Sequence, residues 1–344
     1  MHVCLLRLSA IGDVAHAHAM INQLQKNQPH IQITWVIGSV EHALLKHMPG
    51  INWVIFNKAD GLQGVYKLWQ QLKRKRFDAL LLMQVSLRAN LLSLGIRAKR
   101  RIGFDAQRAK EGHSLFINER IAPQPRSHVL DGFGGFYEKL TGALWQPKNL
   151  DWDFHVPEAA VERAQALLAQ VPSPFVICPA ASKAERNWSA ERYAALASHA
   201  HQQGLPVVIC GGRSAEEQTL AKAIADQSQV PCLNLVGQTD LLTLTQILKQ
   251  ARLVLAPDTG PLHLAIAQGT RTIGLYAHSN PERTGPYRLR EGVVSVYAQA
   301  IKATYHKEVD DLAWGQRVKG AHWMQAIAVE TVIERFDALL KLDA

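Results

Sequence analysis

Four short polar runs in this sequence carry residue types able to do chemistry, and each follows an apolar run of strand character. The first is Arg7-Leu8-Ser9-Ala10-Ile11-Gly12-Asp13-Val14. A carboxylate such as Asp13, at the end of a strand and the start of a helix, can act as a general base. The same position also suits a helix cap. Gly12 would let the backbone turn tightly. The second run, Pro179 to Ser189, offers Ser182, Lys183 and Arg186 as donors for phosphate oxygens. The plainer reading is a solvated loop ahead of a helix capped by Ser189. The third, Cys210-Gly211-Gly212-Arg213-Ser214-Ala215-Glu216-Glu217, pairs two glycines with acids able to accept from ribose hydroxyls. It reads equally as a turn with acids in the first helical turn. The fourth, Asp258-Thr259-Gly260-Pro261-Leu262-His263, opens a helix after a strand. Free N–H groups at such a start, with the helix dipole, make an anion site. Asp258 and His263 are placed to orient their neighbours.

These runs need elements to hold them, and the hydrophobic pattern supplies alternating strands and helices. Strands are expected over His2–Leu8, Ile33–Ile37, Trp53–Phe56 and Ala79–Met83. Helices are expected over Val14–Lys26, Val40–His47 and Tyr66–Arg76, the last with a cationic end, Lys73 to Arg76, that suits the dipole. The texture changes near residue 150. A helix at Pro157–Gln170 precedes a proline-rich stretch, so a boundary is placed within 155–173. Alternation restarts with strands Phe175–Cys178, Val207–Cys210, Cys232–Val236, Leu253–Ala256 and Thr272–Tyr276, and His322–Leu342 is a final helix. Repeated βα alternation predicts an α/β protein with parallel sheets. The divisions expected are 1–155, a linker at 156–172, a second domain at 173–320, and a terminal helix at 321–344.

Composition narrows the field. With 344 residues, 47% hydrophobic and 19% charged, the chain can bury two cores. A net charge of +9 points to an anionic partner such as a nucleotide, a phosphorylated glycolipid, a membrane face or nucleic acid. The four cysteines lie in apolar runs without CxxC spacing, which predicts reduced thiols and no zinc site. No uncharged apolar run reaches the length of a membrane span, and the N-terminal run is too short for a signal peptide. A soluble cytoplasmic protein is the expectation. Neither domain carries GxGxxG, which argues against a nicotinamide enzyme. No motif of a nucleic-acid binder supports that class.

The pairing of SxxGD after the first strand with DTGxxH in the C-terminal half resembles the bacterial heptosyltransferases of lipopolysaccharide core synthesis, glycosyltransferase family 9. The run S-K-A-E-R-N-W resembles that family's third landmark, with Arg186 where the family usually has lysine. The resemblance covers essentially the whole chain. It implies a GT-B architecture of two facing Rossmann-like domains with a cleft between them, and a C-terminal helix packed back on the first domain. It implies inverting transfer of L-glycero-D-manno-heptose from ADP-heptose to a Kdo-lipid A acceptor, without metal or other cofactor, at the cytoplasmic face of the inner membrane. On this reading Asp13 is the base. Ser182, Lys183, Arg186, Glu216, Asp258, Thr259, Gly260 and His263 bind the donor. Arg7, Ser9, Gly12, Arg100 and Arg101 form the acceptor side. The short segment between Phe56 and Tyr66 inclines the reading to the first-heptose (heptosyltransferase I) type. The alternatives are heptose added to an earlier heptose, another nucleotide sugar, or a non-catalytic binder of anionic ligands or nucleic acid.

Overall fold

A computed structural model describes residues 1–342. The chain divides into two compact units, Met1–His155 and Val156 onward. In the first, β1 (His2–Leu6), α1 (Ile11–Asn27), β2 (Gln32–Gly38), α2 (Ser39–Leu45), β3 (Ile51–Phe56), α3 (Gly61–Leu72) and β4 (Phe77–Leu82) follow in order. Then come α4 (Leu87–Ser93), β5 (Ala98–Gly103), β6 (Glu119–Arg120) and α5 (Val129–Thr141). The strands pair in parallel in the order β3-β2-β1-β4-β5-β6. Side chains alternate across β1. Cys4 and Leu6 meet Leu68 and Leu72 of α3 and Ala89 and Leu92 of α4, leaving Val3 and Leu5 for the other face. Helix α1 packs with α2 and α5. Central strands covered on both faces are almost wholly apolar, as a parallel sheet requires.

The second unit begins with α6 (Glu158–Leu168) and continues with β7 (Phe175–Ile177), α7 (Ala190–Gln202), β8 (Val207–Ile209), α8 (Ala215–Gln227), β9 (Cys232–Asn234) and α9 (Leu241–Gln250). It ends with β10 (Leu253–Pro257), α10 (Gly260–Ala267), β11 (Thr272–Tyr276), α11 (Pro281–Thr284), β12 (Val293–Ser295), α12 (Tyr297–Tyr305), α13 (His322–Gln325) and α14 (Val329–Lys341). Its parallel order, β12-β11-β10-β7-β8-β9, repeats that of the first unit. In each sheet the strand order reverses between the first and fourth strands of the unit, where open α/β sheets bind ligands.

Two expected divisions change. Residues 156–172, expected as a linker carrying a helix, belong to the second unit. Helix α6 buries Ala160, Ala164 and Leu168 and packs on α9. The C-terminal helix, expected on the first domain, packs in the second unit. Its Val332, Phe336 and Leu339 belong to that core, with Phe336 edge-on to Phe175 at 5.1 Å and Asp337 paired to His199 at 2.7 Å. The apolar stripe of α14 is thus satisfied against α7 and the β11–β12 edge. Asp343 and Ala344 of that expected helix lie outside the described residues. The cations Lys73 to Arg76 follow α3 rather than ending it. All four cysteines are free thiols. Among the described residues no helix is long and apolar enough to cross a membrane.

Candidate active site

In the first unit, the backbone leaving β1 carries Arg7 to the gap between β1 and β4. Its guanidinium donates to Met83 O at 2.6 Å, pairs with the Asp13 carboxylate, and lies over the Phe133 ring at 5.4 Å. Asp13 is not the helix cap. Ala10 holds that position without a side-chain cap, and Asp13 sits in the first turn of α1. Gly12 is helical there, so the tight turn expected of it is not needed. The Asp13 side chain keeps 33% of its surface exposed while Arg7 keeps 11%. The carboxylate is therefore held on one side and open on another.

Three neighbours of this loop escaped the sequence reading. Gln84, two residues past β4, accepts from Leu8 N at 2.7 Å and from Ser9 N at 3.3 Å, fixing the loop across the sheet reversal. Lys58, past the end of β3, reaches Ser9 Oγ at 3.5 Å. Glu41 of α2 is buried. Burial pushes its carboxyl up, against the pull of Lys58 and Arg7. Only the chain path links these residues, so no local spacing announces them.

Arg100 and Arg101, expected on the acceptor side, are not brought to this group. They lie in mid-strand on β5. Arg101 is level with Leu80 of β4, which is level with Cys4, three residues short of Arg7. At ~3.3 Å per residue that is about 10 Å. Both guanidiniums are already engaged. Arg100 holds Glu119 through two bonds, at 2.8 and 3.0 Å, and Lys139 O at 2.8 Å. Arg101 donates to Phe116 O, Ile96 O, Ser93 O and Ser93 Oγ at 2.7 to 3.0 Å. They staple the sheet edge to its loops.

In the second unit, Asp258 follows β10 and Thr259 is the N-cap residue of α10. The Thr259 hydroxyl donates back to Pro257 O at 3.1 Å, so this helix start has no side-chain cap. Asp258 accepts from Ser279 Oγ at 2.5 Å and Thr284 Oγ1 at 3.3 Å, and His263 Nε2 lies 3.4 Å from its other oxygen. Burial acts to raise the Asp258 carboxyl. His263, the Ser279 hydroxyl and Arg317 outweigh burial and hold it below the usual carboxylate range.

Arg186 comes from the loop after β7, across the reversal from Asp258. Burial and the nearby Arg317 pull its guanidinium below its ordinary value, against the Asp258 and Glu185 carboxylates. Glu185 in turn accepts from Gly320 N at 3.3 Å, and buried His278 meets Gly320 O at 3.0 Å. Arg317, Ser279 and His278 belong to this group and were not anticipated from sequence. The amide nitrogen of Asn280, next in that loop, is buried without a hydrogen-bond partner.

Ser182 and Lys183 are exposed on the same β7 loop. Of the two acids after Gly212, Glu217 is engaged structurally. It forms a capping box with Ser214 and accepts from Gly212 N at 2.9 Å. A Cβ on Gly212 would stand 2.7 Å from that carboxylate, so a larger residue there would have to push the Glu217 side chain aside. Glu216 is exposed and is the acid left to meet a ligand.

With the geometry in view, the comparisons with known proteins converge. The sequence profile of glycosyltransferase family 9 (heptosyltransferase) matches residues 65–312. The chain is 40% identical over 337 residues to the lipopolysaccharide core heptosyltransferase OpsX of Haemophilus influenzae, spanning 98% of this chain and 96% of that one. It is 22% identical to lipopolysaccharide heptosyltransferase 1 of Escherichia coli, over 88% of this chain and 98% of that one. Among solved structures, the E. coli heptosyltransferase WaaC with ADP shares the fold with a TM-score of 0.76 at 18% identity, covering 98% of this chain and 100% of that one. The E. coli ADP-heptose lps heptosyltransferase II gives 0.71 at 19% identity, covering 100% and 99%. An α/β protein with two six-stranded parallel sheets, matched along nearly its whole length, this chain belongs to glycosyltransferase family 9, the heptosyltransferases.

Proposed function

We propose that this heptosyltransferase moves heptose from ADP-heptose to the Kdo of a lipid A precursor, placing the first heptose, with Asp13 as base. One observation carries the reading. A half-exposed carboxylate held by Arg7 stands at the strand-order reversal of one unit, and an uncapped helix start flanked by guanidiniums stands at the reversal of the other. The relatives supply the chemistry. They include a lipopolysaccharide core heptosyltransferase and a solved heptosyltransferase with ADP-2-deoxy-2-fluoro heptose. The choice of Kdo rests on the short β3–α3 connection, residues 57–60, and is tested by acceptor competition.

The acceptor hydroxyl oxygen attacks the anomeric carbon as Asp13 takes its proton. The bond from that carbon to the diphosphate oxygen breaks, and ADP leaves from the opposite face, so the configuration inverts. Charge grows on the diphosphate as it departs. Arg186 and Arg317, with the α10 N–H groups and the Thr259 hydroxyl once it turns away from Pro257 O, are the groups that stabilise it. Two guanidiniums held near one another favour an anion between them. Ser182 and Lys183 are assigned to the outer phosphate oxygens and Glu216 to the nucleoside. With fixed cations present, the reaction is proposed to run without metal, at the cytoplasmic face of the inner membrane.

The test is heptose transfer from ADP-heptose to Kdo-lipid A and to an already heptosylated acceptor, each with and without EDTA. Wild type should use the Kdo acceptor and be indifferent to EDTA. Asp13→Asn should lower kcat by about 10²–10⁴-fold while ADP binding is unchanged. Preference for the heptosylated acceptor would overturn the type, loss with EDTA the metal independence, and full activity of Asp13→Asn the base.

A further inference from the structure

The outer faces of α3 and α4 are not those of an ordinary solvated helix pair. Leu87, Leu91 and Leu94 fall at i, i+4 and i+7, on one stripe spanning about 60° around the helix axis. They are 55%, 44% and 58% exposed. Beside them α3 exposes Leu62 and Tyr66, also four apart. The two helices are held together by Trp69 of α3, whose indole donates to Leu92 O at 3.1 Å. Outward leucines repeated along one helix stripe, with exposed apolar side chains on the neighbouring helix, mark an interaction surface.

Charge says what covers it. Between Lys58 and Glu111 the sequence has thirteen lysines and arginines against four acids, a balance of +9, equal to that of the whole chain. The remainder of the molecule is neutral on balance. All four acids are engaged. Asp60 pairs with Lys67 at 3.6 Å, Asp78 accepts from His2 N, Asp105 holds Arg108, and Glu111 accepts from Leu87 N at 2.6 Å. Exposed cations flank the leucines, with Lys73, Arg74 and Arg76 beyond α3 and Arg88 and Arg97 on and after α4. Leucines inside a cationic rim match an anionic bilayer surface, where the side chains enter the headgroup layer and the cations meet lipid phosphates.

The place of the face in the fold matters too. Helix α3 opens just past Lys58, which touches Ser9, and α4 opens just past Gln84, which holds the Leu8–Ser9 backbone. Both outer stripes therefore start at the sheet edge that carries Asp13.

We propose that the outer faces of α3 and α4 dock this enzyme on an anionic lipid surface, bringing the Asp13 edge to an acceptor that stays in the bilayer. The role of the docking rests on the transferase reading above; the docking itself does not.

Co-sedimentation of the full chain with phosphatidylcholine vesicles, plain or containing a quarter phosphatidylglycerol, tests it. Two variants are compared, Leu87→Ser/Leu91→Ser/Leu94→Ser and Lys73→Gln/Arg74→Gln/Arg76→Gln. Thermal melting and transfer to a delipidated, water-soluble acceptor serve as controls. Wild type should prefer the anionic vesicles, and each variant should partition at least about tenfold less with melting and soluble-acceptor transfer unchanged. Wild type that ignores anionic vesicles, or variants that bind like wild type, would overturn the proposal. So would loss of duplex DNA binding in the variants with vesicle binding intact, or a variant that changes only the oligomeric mass. Vesicle binding as expected from a wild type that transfers no heptose would support the docking and defeat the transferase reading alone.

Discussion

At the scale of single residues, the two sites solve different problems. As the proposed base, Asp13 must be both reachable and oriented, and Arg7 does the orienting from a largely buried position with a backbone carbonyl and an aromatic ring as its other supports. Asp258 is the reverse case, a carboxylate enclosed by donors from three segments. Its job is to set Ser279, Thr284 and His263 around the start of α10. Arg317 tests this division. Its charge acts on both Asp258 and Arg186, and nothing in its local sequence marks it. Arg317→Gln should raise the donor KM and lower kcat/KM by about 10–100-fold, the worth of one charge-assisted bond, while acceptor KM stays fixed. Arg186→Lys should keep part of the activity, since the charge remains and the planar fork is lost. Steady-state kinetics with donor and acceptor varied in turn separates the two. Equal damage to both KM values would place Arg317 outside the proposed diphosphate site.

At the scale of elements, β1 to β4 and β7 to β11 were legible because each is an apolar run with turn residues at its ends, whereas the three-residue β12 was missed. The DTGPLH start of α10 was legible for the same reason, as its neighbours in sequence are its neighbours in space. Strand β5 was not. Its sequence, Ala98-Lys99-Arg100-Arg101-Ile102-Gly103, reads as a basic loop, yet it pairs with β4 along its length. The arginines belong there because Glu119 and the turn carbonyls at Ser93, Ile96 and Phe116 supply acceptors. Those partners are up to 19 residues away, beyond any local pattern. The terminal helix misled in the same way, since an amphipathic stripe shows that a helix packs and not on what. Arg101→Met should consequently cost stability rather than substrate affinity. Several carbonyls would lose a charged donor, at about 2–3 kcal/mol in total, and acceptor KM would not move. Urea unfolding and acceptor kinetics on the same variant decide this, and a raised KM with unchanged stability would return Arg101 to the acceptor site.

At the scale of the whole molecule, two sheets of one topology carry different buried charges, and this gives them different responses to acid. The first unit encloses His18, fully buried between Asn22 at 3.1 Å and the Phe154 ring at 5.1 Å. Burial, helped by His155, lowers it to about 3. His113, also buried, is lowered to about 4 by burial and by Arg120. Both rings are neutral in the folded unit down to those values, whereas in the unfolded chain they take up protons below about 6.5. Between pH 6.5 and 4 the unfolded state therefore binds up to two more protons than the folded one, and stability falls as pH falls. Each contributes ~1.4 kcal/mol per pH unit well inside that window, or roughly 4 kcal/mol for the pair between pH 7 and 5. The second unit contains Asp258, whose depressed carboxyl stabilises the fold above about pH 3.8 and loses that contribution only at lower pH. Its His278 is lowered by burial too, but Gly320 O and Glu185 oppose the shift. Calorimetry from pH 7 to pH 5 should accordingly show the first unit's transition moving down ahead of the second's. His18→Phe removes one titrating ring and leaves Asn22 its bond to Asp151 O at 3.1 Å. That variant should lose about half of the pH slope of the first transition. An unchanged slope would mean that His18 is protonated in the folded unit, and that its burial is relieved on a path to solvent.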